Sequence, residues 1–186
     1  MTTRRLLVLD RDGVINEDRD DFVKSVEEWI PVPGAISAIA RLSRAGYTIA
    51  VATNQSGLAR GLFSEDDLMA MHQLLFDAVA AEGGTLDALF YCPHGPDEGC
   101  DCRKPAPGLL YQIEENLDIP LRGSPFVGDS LRDLEAAVRA GCQPILVRTG
   151  KGWQTAAQGI DSLPVGTQVY DSLADYADTL LEEAPR

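Results

Sequence analysis

The sequence predicts an α/β fold: a three-layer, doubly wound parallel sheet with helices on both faces. Three observations predict it. Apolar runs of strand length alternate at least four times with segments of helical periodicity. Several of those runs stop at polar residues, where open parallel sheets hold ligands. The 186 residues, 45% hydrophobic and 24% charged, carry no internal repeat, low-complexity segment or linker, so one domain over residues 1–186 is expected.

Residues 6–10 read as a buried strand running into Asp10, Arg11, Asp12 and Gly13. Pro33 and Gly34 open a helix whose apolar residues Ile36, Ile39, Ala40 and Leu42 recur at helical spacing, with Gly46 as its C-terminal cap. YTIAVAT is a β-rich run ending at Thr53, followed by the glycine-containing loop NQSGLARGLF. Ser64 caps a helix over 65–82 whose first turn holds Glu65, Asp66 and Asp67, the charge the helix dipole favours there. LDALFYC is a short strand and residues 93–106 are irregular. A helix over 107–117 begins with Pro107, a strand covers 125–127, SLRDLEAAVRAG is helical and PILV is a strand. Beyond residue 150 the sequence suggests a weak strand near Val169 and a last helix near 173–182.

The net charge of −13 argues against a nucleic-acid partner, whose backbone is bound by Lys and Arg, and against an anionic membrane surface. No apolar run approaches the ~20 residues of a membrane span. The N-terminal MTTRRLLVLD stops at an aspartate, unlike a signal peptide, so a cytoplasmic location is expected. Without a long apolar stripe or heptad, a monomer is expected.

The strand ends gather the chemistry. Asp10 and Asp12 follow the first strand, Thr53 and Asn54 the second, and Asp129 the strand before SLRD, while Arg103 and Lys104 precede the 107–117 helix. Taken singly, each has an ordinary reading: Asp12-Gly13 is a turn pair, Asp129-Ser130 a helix cap, Lys104 a solvated loop residue. Taken together they crowd carboxylates at one place. Crowded carboxylates need a cation, and oxygen-only ligands suit Mg²⁺.

Asp10-Arg11-Asp12-Gly13-Val14, Thr53-Asn54-Gln55-Ser56-Gly57, Lys104-Pro105 and Gly128-Asp129-Ser130 resemble, in order and spacing, the four motifs of the haloacid dehalogenase superfamily of phosphotransferases. The resemblance covers residues 6–150. It implies a catalytic set of Asp10 as nucleophile, Asp12 as proton shuttle, and Thr53 and Lys104 on the phosphoryl group. It implies Mg²⁺ held by Asp10, Asp129 and the Asp12 carbonyl. Asp12 favours phosphatases and phosphomutases, because the family's dehalogenases lack that carboxylate and its ion pumps carry Thr. The 42 residues between Asp10 and Thr53 leave no room for the large cap domain of mutases. Ser130 stands where the family often has Lys, a difference on the substrate side.

Cys92, His94, Cys100 and Cys102 form a C-x-H-x5-C-x-C array. Three thiolates and an imidazole satisfy a tetrahedral Zn²⁺, and four protein ligands make such a metal structural. The alternative is free thiols plus a loop histidine. Zinc over 92–102 would stiffen the irregular loop and present Arg103 and Lys104. Cys142 reads as a small buried residue, and His72 as a helix residue rather than a ligand. The zinc loop sharpens the resemblance to small capless phosphatases of sugar bisphosphates, with histidinol-phosphate phosphatase as the near alternative. A small phosphorylated sugar would then meet Asn54, Gln55, Ser56, Gly57, Arg60 and Arg103, the two arginines serving a second phosphate or sugar hydroxyls. Histidinol phosphate would instead want acidic partners, which the DEGCD run could supply. An inactive phosphate-binding module is the non-enzymatic reading.

Overall fold

The computed structural model describes residues 4–183; the outermost residues of the expected domain and of the N-terminal stretch lie outside the described residues. Among the described residues six strands form one sheet in the order β3-β2-β1-β4-β5-β6, every pair parallel. They are β1 (Arg5–Leu9), β2 (Tyr47–Asn54), β3 (Ala88–Cys92), β4 (Pro125–Gly128), β5 (Gln143–Val147) and β6 (Gln168–Tyr170). The helices are α1 (Ala35–Arg44), α2 (Glu65–Ala81), α3 (Gly108–Leu117), α4 (Leu131–Arg139), α5 (Gly152–Ala157) and α6 (Leu173–Glu183). No helix among the described residues is long and apolar enough to cross a membrane.

Strand alternation sorts the core into two layers. Leu7, Leu9, Ile49 and Val51 point to a cluster shared with residues of α1, α2 and α6. Leu6, Val8, Ala50 and Ala52 point the other way, onto Leu109, Leu110 and Ile113 of α3 and Ala136 and Ala137 of α4. Cys142 is buried in this second cluster. With both faces covered, the central strands are apolar throughout, which is why they read as continuous runs rather than alternating ones.

Chain order runs outward from β1 through β2 to β3, and outward again from β4 through β5 to β6. The reversal lies between β1 and β4, where an open α/β sheet forms its ligand crevice. Asp10 follows the end of β1, and its N–H bonds the Val127 carbonyl of β4 at 2.9 Å. Asp129 follows β4. The two carboxylates therefore flank the switch point.

Two elements depart from expectation, a helix and a single 3-10 turn at Ile160–Ser162. The short helix α5 lies inside the segment that suggested no structure before Val169. It begins at Gly152, where an added Cβ would stand 1.7 Å from the Val147 carbonyl oxygen. No side chain caps it, so the sequence gives no start signal.

Candidate active site

Lys104 organises the site. Its ammonium lies 2.8 Å from Asp10 Oδ1, 2.8 Å from Asp133 Oδ1 and 2.8 Å from the Ala52 carbonyl, to which it donates. All three N–H bonds thus have acceptors in a group only 2% exposed. Burial opposes its charge, but Asp10 and Asp133 outweigh burial and raise its pKa. The Asp10 carboxyl is pushed well above its usual value, first by burial, then by Asp133, with Lys104 pulling the other way. Asp129 is raised to about 7 by burial and Asp133.

Asp133 was not singled out from sequence, although Ser130-x-x-Asp133 has the spacing of a capping box. Its Oδ2 accepts from the N–H and hydroxyl of Ser130 at 3.1 and 2.8 Å and from the Asp129 N–H at 3.2 Å. Asp133 is thereby committed to protein donors. Asp129 Oδ2 accepts from the Lys151 N–H at 2.8 Å and is enclosed by Gly13 and Gly150. An added Cβ at those glycines would lie 2.0 and 2.3 Å from Oδ2, and both have positive φ. Asp12-Gly13 is therefore more than a turn pair.

Asp10, Asp129 and Asp133 place oxygens within 4.8 Å of one another. With Asp133 committed, Asp10 and Asp129 each keep one oxygen clear of the contacts above, and the Asp12 carbonyl accepts no backbone hydrogen bond. This all-oxygen donor set fits Mg²⁺.

The Asp12 side chain is held in a cage. Oδ1 accepts from Arg11 Nε and Nη2 at 3.1 and 2.8 Å and from Asn16 Nδ2 at 2.9 Å. Oδ2 accepts from Gln55 Nε2 at 2.8 Å. Burial would raise this carboxyl, but the Arg11 guanidinium and these hydrogen bonds hold it below its usual value. Arg11 is itself buried. His72, close by in α2, is kept neutral: burial, then Arg11, lowers its pKa to about 3. It belongs to neither metal-competent cluster.

These groups open into a cavity of about 260 Å³ lined by Asp10, Asp12, Lys104 and Asp129 and rimmed by Arg19, Arg60, Arg103, Arg132 and Lys151, with Asp18 and Asp20 among them. Asn54, Ser56 and Ser130 also line it. Thr53 lies just beneath the lining, 1% exposed. Two residues expected against the substrate are elsewhere. Gln55 is 3% exposed and turned onto Asp12 and Thr53. Gly57 packs against Phe63, whose Cε1 would stand 2.2 Å from an added Cβ. The acidic DEGCD run does not line the cavity; Asp97 and Glu98 are exposed. Sequence reading also passed over the lip at Arg19 and Phe22. Phe22 has φ 68, a conformation bulky residues rarely adopt, and its ring lies 5.6 Å from the Arg60 guanidinium.

The Cys–His array converges. Cys92 Sγ lies 3.5 Å from His94 Nδ1 and 3.6 Å from Cys100 Sγ, and His94 Nδ1 lies 3.3 Å from Cys102 Sγ. Zn–S bonds of 2.3 Å at tetrahedral angles set ligand atoms about 3.5–3.8 Å apart, so these separations fit Zn²⁺. Cys92 and Cys102 are closer, at 2.8 Å, yet well beyond disulfide length. Burial opposes ionisation of all three thiols; at Cys100 the Arg103 N–H and neighbouring sulfurs overcome it and bring the pKa to about 7. A zinc-selective chelator should therefore lower stability by about 3 kcal/mol, a fall of about 10 °C in Tm. Dialysing away Mg²⁺ should stop turnover without unfolding the protein. Zinc alone restoring activity to metal-stripped protein would overturn this division.

Comparison with known proteins agrees with the geometry. Residues 101–176 match the model of the HAD-hydrolase-like family. D-glycero-beta-D-manno-heptose-1,7-bisphosphate 7-phosphatase of Bordetella bronchiseptica is 57% identical over 97% of this chain and 99% of its own length. This chain belongs to the HAD hydrolase family. The enzyme of the same name from Pseudomonas aeruginosa is also 57% identical, over the same shares of the two chains. The Bordetella D,D-heptose 1,7-bisphosphate phosphatase, solved with magnesium and phosphate, superposes with a TM-score of 0.93 at 57% identity, covering 97% of this chain and 99% of that one. As a HAD member, the chain carries the superfamily's strand-end acids on a sheet with no large cap inserted between β1 and β2.

Proposed function

We propose that this chain is a Mg²⁺-dependent phosphomonoesterase that removes the 7-phosphate of D-glycero-D-manno-heptose 1,7-bisphosphate, as its Bordetella and Pseudomonas relatives are named to do. Their names specify the beta anomer, and the same preference is proposed here. Heptose supply for lipopolysaccharide or other surface glycans, through a nucleotide-activated heptose, is the corresponding role. The observation that carries the reaction is the meeting of Asp10, Lys104 and Asp129 at one cavity.

Asp10 attacks phosphorus through a carboxylate oxygen, and the bond from phosphorus to the sugar oxygen breaks. Mg²⁺, held by Asp10, Asp129 and the Asp12 carbonyl, supplies charge that offsets anion–anion repulsion. Lys104 adds its own charge at the transferring group, and the Thr53 hydroxyl and Asn54 N–H donate to phosphoryl oxygens. Asp12 gives a proton to the leaving alkoxide, then takes one from the water that hydrolyses the aspartyl-phosphate. The nearby phosphate charge favours protonated Asp12, against the pull of Arg11. Arg60 and Arg103 face the distal phosphate or the sugar hydroxyls. The chain is proposed to work as one domain and a monomer in the cytoplasm; a cluster of three thiols suits a reducing compartment.

Phosphate release from the heptose bisphosphate and from histidinol phosphate, measured side by side, tests the substrate. The bisphosphate should win by about 100-fold or more in kcat/KM, two or three cationic contacts being worth about 3 kcal/mol. The reverse order would overturn the sugar assignment. Against histidinol phosphate stand Arg60, Arg103 and Arg132 beside the cavity, whereas Asp18, which pairs with Lys151 at 3.1 Å, and Asp20 are the acids in its outer lining that an amine would meet.

A further inference from the structure

Two consecutive amides, Asn54 at the end of β2 and Gln55 directly after it, both bond to protein. Asn54 Nδ2 donates to the Lys104 carbonyl at 3.1 Å, and its Oδ1 accepts from the Lys104 N–H at 3.0 Å. This is the two-bond pairing a neighbouring strand would make, supplied by one side chain. It fixes the backbone from which the Lys104 ammonium reaches Asp10 and Asp133.

Gln55 Nε2 has two hydrogens and two acceptors: Asp12 Oδ2 at 2.8 Å and Thr53 Oγ1 at 2.9 Å. The first holds the carboxyl against rotation away from the cavity. The second fills an acceptor site on the Thr53 hydroxyl, so its proton must point elsewhere. The other acceptor within reach is the Asn54 carbonyl at 3.5 Å, at the limit of a hydrogen bond. The hydroxyl proton is thus kept for a phosphoryl oxygen.

We propose that the Asn54 and Gln55 side chains are positioning residues with divided tasks: Asn54 aims Lys104, and Gln55 aims Asp12 and the Thr53 hydroxyl. The inference rests on the phosphatase reading above. The division has a kinetic signature. Lys104 acts on the phosphoryl group whatever leaves it. Asp12 acts on the leaving oxygen, which matters for an alkyl ester and little for p-nitrophenyl phosphate, whose phenolate leaves unprotonated; its later task on the hydrolytic water serves both esters, so the two are compared in the first turnover, before that step.

Ester cleavage in the first turnover, with kcat and KM beside it, is measured on the heptose bisphosphate and on p-nitrophenyl phosphate for wild type, Asn54→Ala and Gln55→Met, each also checked by thermal melting. Misplacing a catalytic group by about 1 Å costs on the order of 10²-fold. Asn54→Ala should therefore lower kcat about 10–100-fold on both substrates alike. Gln55→Met should lower the first-turnover cleavage rate about 10–100-fold on the sugar ester and only a few-fold, through the loosened Thr53 hydroxyl alone, on the nitrophenyl ester. Changes in KM should stay within about threefold. Gln55→Glu keeps the shape without the donors and should behave like Gln55→Met, so shape alone gives no rescue. A raised KM with kcat preserved would make these amides substrate contacts and overturn the proposal. Equal losses on both esters for both variants, or rescue by Gln55→Glu, would overturn it too. Wild type inert on both esters would sink the phosphatase reading itself, whereas active wild type without the split sinks only the positioning roles.

Discussion

Asp10→Asn should lower phosphate release by about 10⁴-fold or more, a barrier increase of about 5 kcal/mol, while the protein stays folded. The amide keeps the size of the carboxyl but has no oxygen able to displace an alkoxide from phosphorus. Stability should hold or rise in metal-free protein. Burial and the neighbouring Asp133 already make the Asp10 negative charge costly, and asparagine carries none. Lys104 keeps Asp133 and the Ala52 carbonyl as acceptors. Phosphate-release kinetics with circular dichroism and melting curves check both halves. Activity within about tenfold of wild type would remove Asp10 from the nucleophile's role.

Lys104→Met should be damaging in two ways. The thioether fills similar volume but leaves Asp10 and Asp133 buried without their cation. Breaking a buried ion pair by removing one partner costs about 3–5 kcal/mol, a fall of about 10 °C or more in Tm. Turnover should drop by at least about 10³-fold, since charge on the transferring group goes with it. The stability loss has a pH signature whose sign follows from the neighbours. Lys104 lowers the Asp10 carboxyl; without it the folded-state value, already raised, climbs further. The folded variant then still holds the Asp10 proton at pH values where the folded wild type has released it, so the deficit grows as pH rises through the wild type's folded value, itself well above the usual carboxylate range. Denaturant titrations of the variant and wild type at several pH values test this. A constant difference across pH would mean that Lys104 does not govern these carboxylates. Lys104→Arg should not rescue, because a planar guanidinium does not fit a socket built for a compact ammonium.

The sheet and most of the reacting groups were legible because their signals are local. Apolar runs, the Ser64 cap and the glycine at position 46 each speak about their own few residues, and a buried parallel strand declares itself by continuous apolar character. Asp10, Asp129 and Lys104 could be read because the family motifs encode an arrangement that spans most of the chain. What stayed hidden depends on distant partners. Asp133 looked like a helix residue because its lysine lies 29 positions earlier. Gln55 pointed toward a substrate on paper, yet its acceptor Asp12 is 43 residues away. Gly57 is set by Phe63, and α5 by the close approach of Gly152 to β5, neither of which has a pattern to read. The Phe22 lip depends on a backbone conformation that its residue type disfavours.

The bond-breaking groups hang from β1, β2 and β4 and from the Lys104 anchor, whereas the five rim cations sit on connecting segments or in the first turn of α4. What the enzyme accepts can therefore be rewritten without disturbing how it cleaves. Libraries confined to positions 19, 60, 103, 132 and 151 would sample new phosphate esters on an unchanged chemical engine, and variants lost to misfolding should be few among them.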